Sequence, residues 1–189
     1  MPKIAIVLTP GFADWEYAYI AGTGAPFYGM DIRFFAPEPG EITSQGGLTA
    51  RVEYDTDEIA EWLPDVVVAV GGMGWDQPDA PDVSGVLTAQ RDRGGVVAGI
   101  CGGTLALARA GLLDEVRHTS NDPAFLTGNA SSYRGAQHYE ASPKTVVDGR
   151  VITAPGTAAT SFAAAVFEAA GMDGETAEQF RAMVGVEHA

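Results

Sequence analysis

The sequence predicts a doubly wound α/β fold of three layers, with helices on both faces of a mostly parallel central sheet. Three observations predict it. Unbroken apolar runs at Lys3–Leu8, Asp65–Val70 and Val96–Ile100 read as strands covered on both faces. Stretches with helical spacing separate them, and strands that alternate with helices form parallel sheets. The third run ends at Cys101, two glycines follow, and a helical run opens at Thr104. That succession is a strand, a sharp turn and a helix. The whole chain, 1–189, is expected to form one such domain, since 189 residues suffice for one well-buried core and hardly for two.

The elements follow in order. Lys3–Leu8 is the first strand and stops at the turn Thr9-Pro10-Gly11. Asp14 is placed to cap a helix through Trp15, Ala18, Tyr19 and Ala21 towards Gly29, a helix that Gly22 and Gly24 weaken. Ile32–Ala36 is a second strand, closed by Pro37 and Pro39. A hairpin is expected from Ile42-Thr43 and Leu48–Val52 around Gln45-Gly46-Gly47. A short helix over Asp57–Trp62 leads to the strand Asp65–Val70, which Gly71-Gly72 ends. Val83–Arg93 reads as a helix and brings the chain to the turn at Cys101. Gly111 marks a helix end, and Val116–Thr119 reads as a brief strand. Asp122–Tyr139 carries no clear period. Asp148-Gly149 signals a two-residue hairpin between Lys144–Val147 and Arg150–Thr153. Helical stretches at Gly156–Ala170 and Glu175–Val184 complete the chain.

Composition excludes several function classes. With 11 Lys+Arg against 25 Asp+Glu the net charge is -14, a surface that repels nucleic acid and anionic membrane. No apolar run approaches the roughly 18–20 residues of a membrane span, and the amino terminus has no signal-peptide pattern. One cysteine forms no internal disulfide, so a cytoplasmic location is expected. Scattered histidines and one cysteine lack metal-ligand spacing, and no Gly-x-Gly-x-x-Gly follows the first strand. No cofactor is expected.

Cys101 is the candidate nucleophile. A side chain on a strand-to-helix turn is held out at the sheet edge, and helix N–H groups favour a thiolate. Of the three histidines, His118 in Arg117-His118-Thr119-Ser120-Asn121 follows the helix after Cys101 and is the candidate base, with Asn121 as the alternative occupant of that place. His138 lies in the segment without period, and His188 is one residue from the carboxyl terminus. Phe12, Trp15, Met73, Trp75 and Tyr133 are candidates for an aromatic, apolar mouth.

Four stretches in this order resemble the ThiJ/PfpI family of the class I glutamine amidotransferase-like superfamily. They are Gly11–Glu16, Val70-Gly71-Gly72, Ala98–Gly103, and Val147–Thr153 followed by Gly156-Thr157 and Ser161-Phe162. The resemblance implies a flavodoxin-like sandwich with a nucleophile elbow. It makes Cys101 the nucleophile and Glu16 its proton partner, with the N–H groups of Gly72 and Gly102 as oxyanion donors. It also implies a homodimer. The departures matter. Ile152–Thr157 contains neither member of the late His-x-Glu pair of glutamine amidotransferases. Gly102 stands where the protease-like branch has histidine, and Phe12–Tyr17 does not match the aspartate motif of isocyanide hydratases.

The expected function is a cysteine-dependent enzyme of hydrolase, glyoxalase or deglycase type, acting on a small electrophilic carbonyl or amide-like substrate. The alternative is a non-enzymatic oxidative-stress sensor or chaperone-like protein that works by reversible oxidation of Cys101. A protonated Glu16 beside a thiolate is expected, with a thiol pKa below roughly 7 against about 8.5 for a free thiol.

Overall fold

The structure, a computed structural model, describes residues 1–186. The elements run β1 (Lys3–Val7), α1 (Asp14–Tyr28), β2 (Asp31–Ala36), β3 (Gly40–Thr43), β4 (Thr49–Val52), β5 (Tyr54–Asp55), α2 (Ile59–Trp62), β6 (Val66–Ala69), α3 (Ser84–Asp92) and β7 (Val96–Ile100). They continue with α4 (Thr104–Arg109), α5 (Pro123–Asn129), β8 (Val146–Asp148), β9 (Val151–Ala154), α6 (Ala159–Ala169) and α7 (Gly174–Gly185). Seven strands form one sheet in the order β5-β2-β1-β6-β7-β9-β8, parallel except for β8. The separate hairpin β3–β4 is antiparallel. The doubly wound class is as the apolar runs predict.

The central strands bury both faces because their side chains alternate between two cores. Ile4 and Ile6 of β1, Val66 and Val68 of β6 and Ile100 of β7 face α6 and α7, against Phe162, Phe167 and Phe180. Ala5 and Val7, Val67 and Ala69, and Val97 face the other way, against Leu87 of α3 and Leu105 and Leu107 of α4. Each fully buried Phe or Leu contributes about 1.5–3 kcal/mol, so these two layers hold the sheet between helices.

Several local expectations are corrected. Asp14 does not cap α1. The cap position is Ala13, and the Asp14 carboxylate accepts the Gly46 N–H at 2.9 Å, tying the β3–β4 turn to the first helix. That contact and the Ser44 hydroxyl hold the Asp14 carboxyl below its usual range, the hydroxyl more strongly. Gly24 does not weaken α1 for nothing. A Cβ there would stand 2.7 Å from Ile32 Cδ1 and 3.0 Å from Phe167 Cε1, so the missing side chain lets α1 lie against β2 and α6. Val116–Thr119 forms no strand. It makes one parallel bridge, His118 with Tyr139, because His118 exchanges backbone bonds with His138 and Glu140. The late hairpin turns one residue further on than expected. Asp148 pairs with Val151, and the loop is Gly149-Arg150 with Gly149 at φ +57°. The segment without a period contains α5, started by the Asp122 carboxylate on the Ala124 N–H.

Candidate active site

The strand order reverses at β1, whose neighbours β2 and β6 lead away in opposite directions. In open α/β sheets, ligands bind beyond the carboxyl ends of the strands at such a switch point. Four chain segments meet there: Gly11–Glu16 after β1, Gly71-Gly72 after β6, Cys101–Gly103 after β7, and Gly156 after β9.

Cys101 is the first residue beyond β7, with φ at +54°. A residue with a Cβ enters that left-handed region at a cost of roughly 1–2 kcal/mol, so the surrounding contacts must hold it there. Thr104 Oγ1 donates to the Cys101 carbonyl at 2.6 Å and lies 2.7 Å from Ser120 Oγ. Since the threonine proton is already used, Ser120 donates in that second bond. The elbow is thereby tied to the segment that carries Asn121.

Glu16, in the first turn of α1, is buried, and its Oε2 accepts the Gly71 N–H at 2.7 Å. Its Oε1 is buried with no hydrogen-bond partner among the described residues. A Cβ placed on Gly156 would stand 3.0 Å from Oε1 and 3.1 Å from Cys101 Sγ, so one small volume lies between carboxyl, thiol and Gly156. Asn121 completes the surround. Its Nδ2 donates to Sγ at 3.1 Å, and its Oδ1 accepts the Gly156 N–H at 2.9 Å. Trp15 Nε1 donates to the carbonyl of the same glycine at 2.9 Å.

Burial lifts the Glu16 carboxyl to about 7, against the opposing pull of the thiol and the Gly71 N–H. Burial, then the Glu16 charge, pushes the Cys101 thiol up to about 11, against the Asn121 amide and the Gly102 N–H. Two acids in contact in a partly dry pocket resist ionising together. The pair gives up a first proton near neutrality and keeps the second. The expected thiol pKa below 7 is therefore corrected: the few N–H donors at the start of a six-residue helix do not outweigh burial and a neighbouring carboxylate.

Gly72 and Gly102 are adjacent, a Cβ on Gly102 lying 2.8 Å from the Gly72 carbonyl oxygen and 3.3 Å from its nitrogen. The Gly72 N–H makes no backbone hydrogen bond among the described residues, while Gly11 and Phe12 pack against that glycine. A cleft of about 240 Å³ opens over the thiol, lined by Gln45, Gly72, Met73, Asp76, Gln77, Cys101, Gly102, Asn121 and Phe125.

His118 does not join this constellation. It is fully buried, with Nδ1 2.7 Å from the Val116 carbonyl and Nε2 2.6 Å from the Tyr133 hydroxyl. A carbonyl only accepts, so Nδ1 carries the proton and Nε2 accepts from Tyr133. Both nitrogens are committed, and Asn121 takes the place beside the thiol. The ring of His138 sits 3.3 Å from the Gln137 amide, in a turn over Ala136–His138; His188 lies outside the described residues. Of the expected mouth residues, Phe12, Trp75 and Tyr133 are core, Trp75 donating to the Val70 carbonyl, whereas Trp15 and Met73 are exposed. Gln45, Asp76 and Phe125 belong to the site without any sequence motif that marks them. They line the cleft through the turn after β3, the loop after β6 and helix α5, and no local motif announces such a meeting.

Comparison with known proteins gives the family and the fold. Residues 2–169 match the model of the DJ-1/PfpI family. A DJ-1 superfamily protein from Agrobacterium tumefaciens superposes with a TM-score of 0.94 at 36% identity, over 100% of both chains. DJ-1beta of Drosophila melanogaster, at 22% identity, shares the fold with a TM-score of 0.77 over 97% of each chain. A protein of Bacillus subtilis (strain 168) named as an uncharacterized protease, YoaZ, is 28% identical over 173 residues, 88% of this chain and 82% of its own length.

Proposed function

The chain belongs to the DJ-1/PfpI family, and from that premise we propose that it is a cysteine-dependent hydrolase of small electrophilic substrates. The observation that carries the reading is the meeting of three groups at one sheet edge: a thiol held out at positive φ, a buried carboxyl with one oxygen unpartnered among the described residues, and, beside Gly102, a Gly72 N–H that makes no backbone hydrogen bond among them. With the pair holding a single proton, sulfur attacks a carbonyl carbon and the remaining proton ends on Glu16. The carbon–sulfur bond forms, and the C=O electron pair moves onto oxygen between the Gly72 and Gly102 N–H groups. Collapse of the adduct expels the leaving group, which takes the proton from Glu16. Water then cleaves the acyl-sulfur bond and restores the thiol. A carboxyl that titrates near 7 is matched to moving protons at neutral pH.

The relatives' protease name fits a carbonyl-directed thiol. The cleft, about 240 Å³, is below the usual 300–1,000 Å³ of sites for drug-sized ligands and favours a small molecule over a polypeptide. The reading includes a homodimer in the cytoplasm, with no nucleic-acid or membrane partner. Among the described residues, no helix is long and apolar enough to cross a membrane.

A panel of small esters, amides and reactive carbonyls, run on wild type beside Cys101→Ser, tests the proposal. Turnover that Cys101→Ser abolishes supports it. Stoichiometric oxidation of Cys101 with no turnover on any substrate would leave the stress-sensor reading in its place.

A further inference from the structure

The side chain of Asn121 meets two groups that fix which way it points. The Gly156 N–H only donates, so the atom facing it at 2.9 Å must be Oδ1. The amide nitrogen is then turned towards Cys101, 3.1 Å from Sγ. Gly156 is itself held from its other side, because its carbonyl accepts the indole N–H of Trp15 at 2.9 Å. The backbone of Gly156 thus joins two exposed side chains, one from α1 and one from the segment before α5. Glycine is needed for the approach, since a Cβ there would stand 3.1 Å from Sγ. Ser120 next to Asn121 is anchored to the elbow through Thr104, and its carbonyl accepts from the Tyr139 hydroxyl.

We propose that Asn121 is a catalytic residue of this site, a hydrogen-bond donor locked in orientation by the Gly156 peptide and aimed at the sulfur that becomes anionic. The proposal deepens the reading of Cys101 as nucleophile and rests on it for the reaction. What Asn121 does to sulfur is separate and needs no substrate. A carboxamide neither gains nor loses a proton in the working pH range, so its donor is present at every pH at which the Glu16–Cys101 pair ionises. The direction of its effect on the thiol is downwards, opposing burial and the Glu16 charge. A histidine there would add a second titration; Asn121 adds a constant.

The experiment reads thiol alkylation by iodoacetamide against pH in the full-length protein, with a melting curve for each variant. Asn121→Leu removes the donor without adding charge. Asn121→Asp keeps the shape and the acceptor for Gly156 but turns an acceptor, and a charge, towards sulfur. Hydrogen bonds to charged groups are strong enough that losing the donor should shift the profile of Asn121→Leu upwards by roughly one to two pH units, with Asn121→Asp shifted further. At pH 7.5 alkylation then slows by roughly tenfold or more in both. Asn121→Leu with a wild-type profile would overturn the proposal, whatever its melting temperature. If Asn121→Asp does not fold, the neutral variant alone decides. Alkylation depends on Cys101 and not on turnover, so Asn121 can fail while Cys101→Ser still abolishes activity, and the reverse.

Discussion

At the scale of single residues the site is a crowded meeting of a thiol, a carboxyl and a glycine peptide, and small changes there have readable consequences. Gly156→Ala places a methyl group 3.1 Å from Sγ and 3.0 Å from Glu16 Oε1, tighter than sulfur or oxygen accepts without moving. Alkylation of Cys101 should fall by roughly tenfold or more, since a displacement of about 1 Å at a reacting group costs about 10²-fold, and a melting curve separates this from unfolding. The Glu16–Cys101 pair predicts the pH dependence. Its first proton leaves near 7, so alkylation in wild type should rise through an inflection at about that pH. Glu16→Gln removes the carboxylate that holds the thiol up, so the inflection near 7 disappears and the thiol titrates alone, below about 11. Turnover in the same variant should drop by roughly 10² to 10⁴, because sulfur attack has lost its proton carrier. An alkylation profile unchanged by Glu16→Gln would remove the carboxyl from the site. Cys101 was legible in the sequence because an apolar run that ends at a cysteine before two glycines and a helical run places that side chain on a sharp turn; the roles of Glu16, Gly72 and Gly102 came only with the family resemblance. The exclusion of His118 was not legible. Its partners, the Val116 carbonyl and Tyr133, are set by how the 116–121 and 133–139 segments fold back on each other.

At the scale of elements, two glycines on one helix make opposite predictions. In α1 a Cβ on Gly22 meets nothing within 4 Å, whereas one on Gly24 meets Ile32 and Phe167. Alanine is about 1 kcal/mol better than glycine inside a helix, so Gly22→Ala should raise stability by up to about that amount. Gly24→Ala gains the same propensity but must push the Phe167 ring, part of a cluster with Tyr28 and Phe180, and overpacking costs about 1–3 kcal/mol. Denaturant melts should therefore order the proteins Gly22→Ala, wild type, Gly24→Ala. The 116–121 segment gives a pH prediction. Burial holds His118 below its usual pKa of 6.5, so the unfolded chain binds its proton more readily than the native one. The stability it contributes is complete above about 6.5 and is lost as pH falls through the lower native value. His118→Gln should flatten that part of the stability loss between pH 6.5 and 5, and a slope identical to wild type would mean that His118 is not held neutral.

For the whole molecule, sheet strands and their helices were legible because both faces of a parallel strand are apolar, a pattern that Val66–Ala69 states without help from context. The loop Asp122–Tyr139 was not, because its order comes from single polar contacts such as Asp122 with Ala124 and His118 with Tyr133, which have no period. Charge is the other property that belongs to the chain as a whole, and it bears on substrate choice. The net charge is -14, and Asp76 lines the cleft over Cys101. An anionic reagent approaching this thiol meets repulsion from the surface at long range and from Asp76 at short range, while a neutral one meets neither. Iodoacetate and iodoacetamide differ by that charge and attack sulfur by the same displacement. At low ionic strength iodoacetate should therefore alkylate Cys101 more slowly than iodoacetamide, beyond their ratio with a free thiol such as glutathione. The Debye length shrinks from about 30 Å at 0.01 M to about 3 Å at 1 M, so added salt should close most of the gap. Asp76→Asn should close the part that salt leaves, since a charge at the cleft wall is too near to be screened. If the two reagents keep the ratio they show with glutathione at every salt concentration, the acidic surface does not reach the site, and anionic substrates are as admissible there as neutral ones.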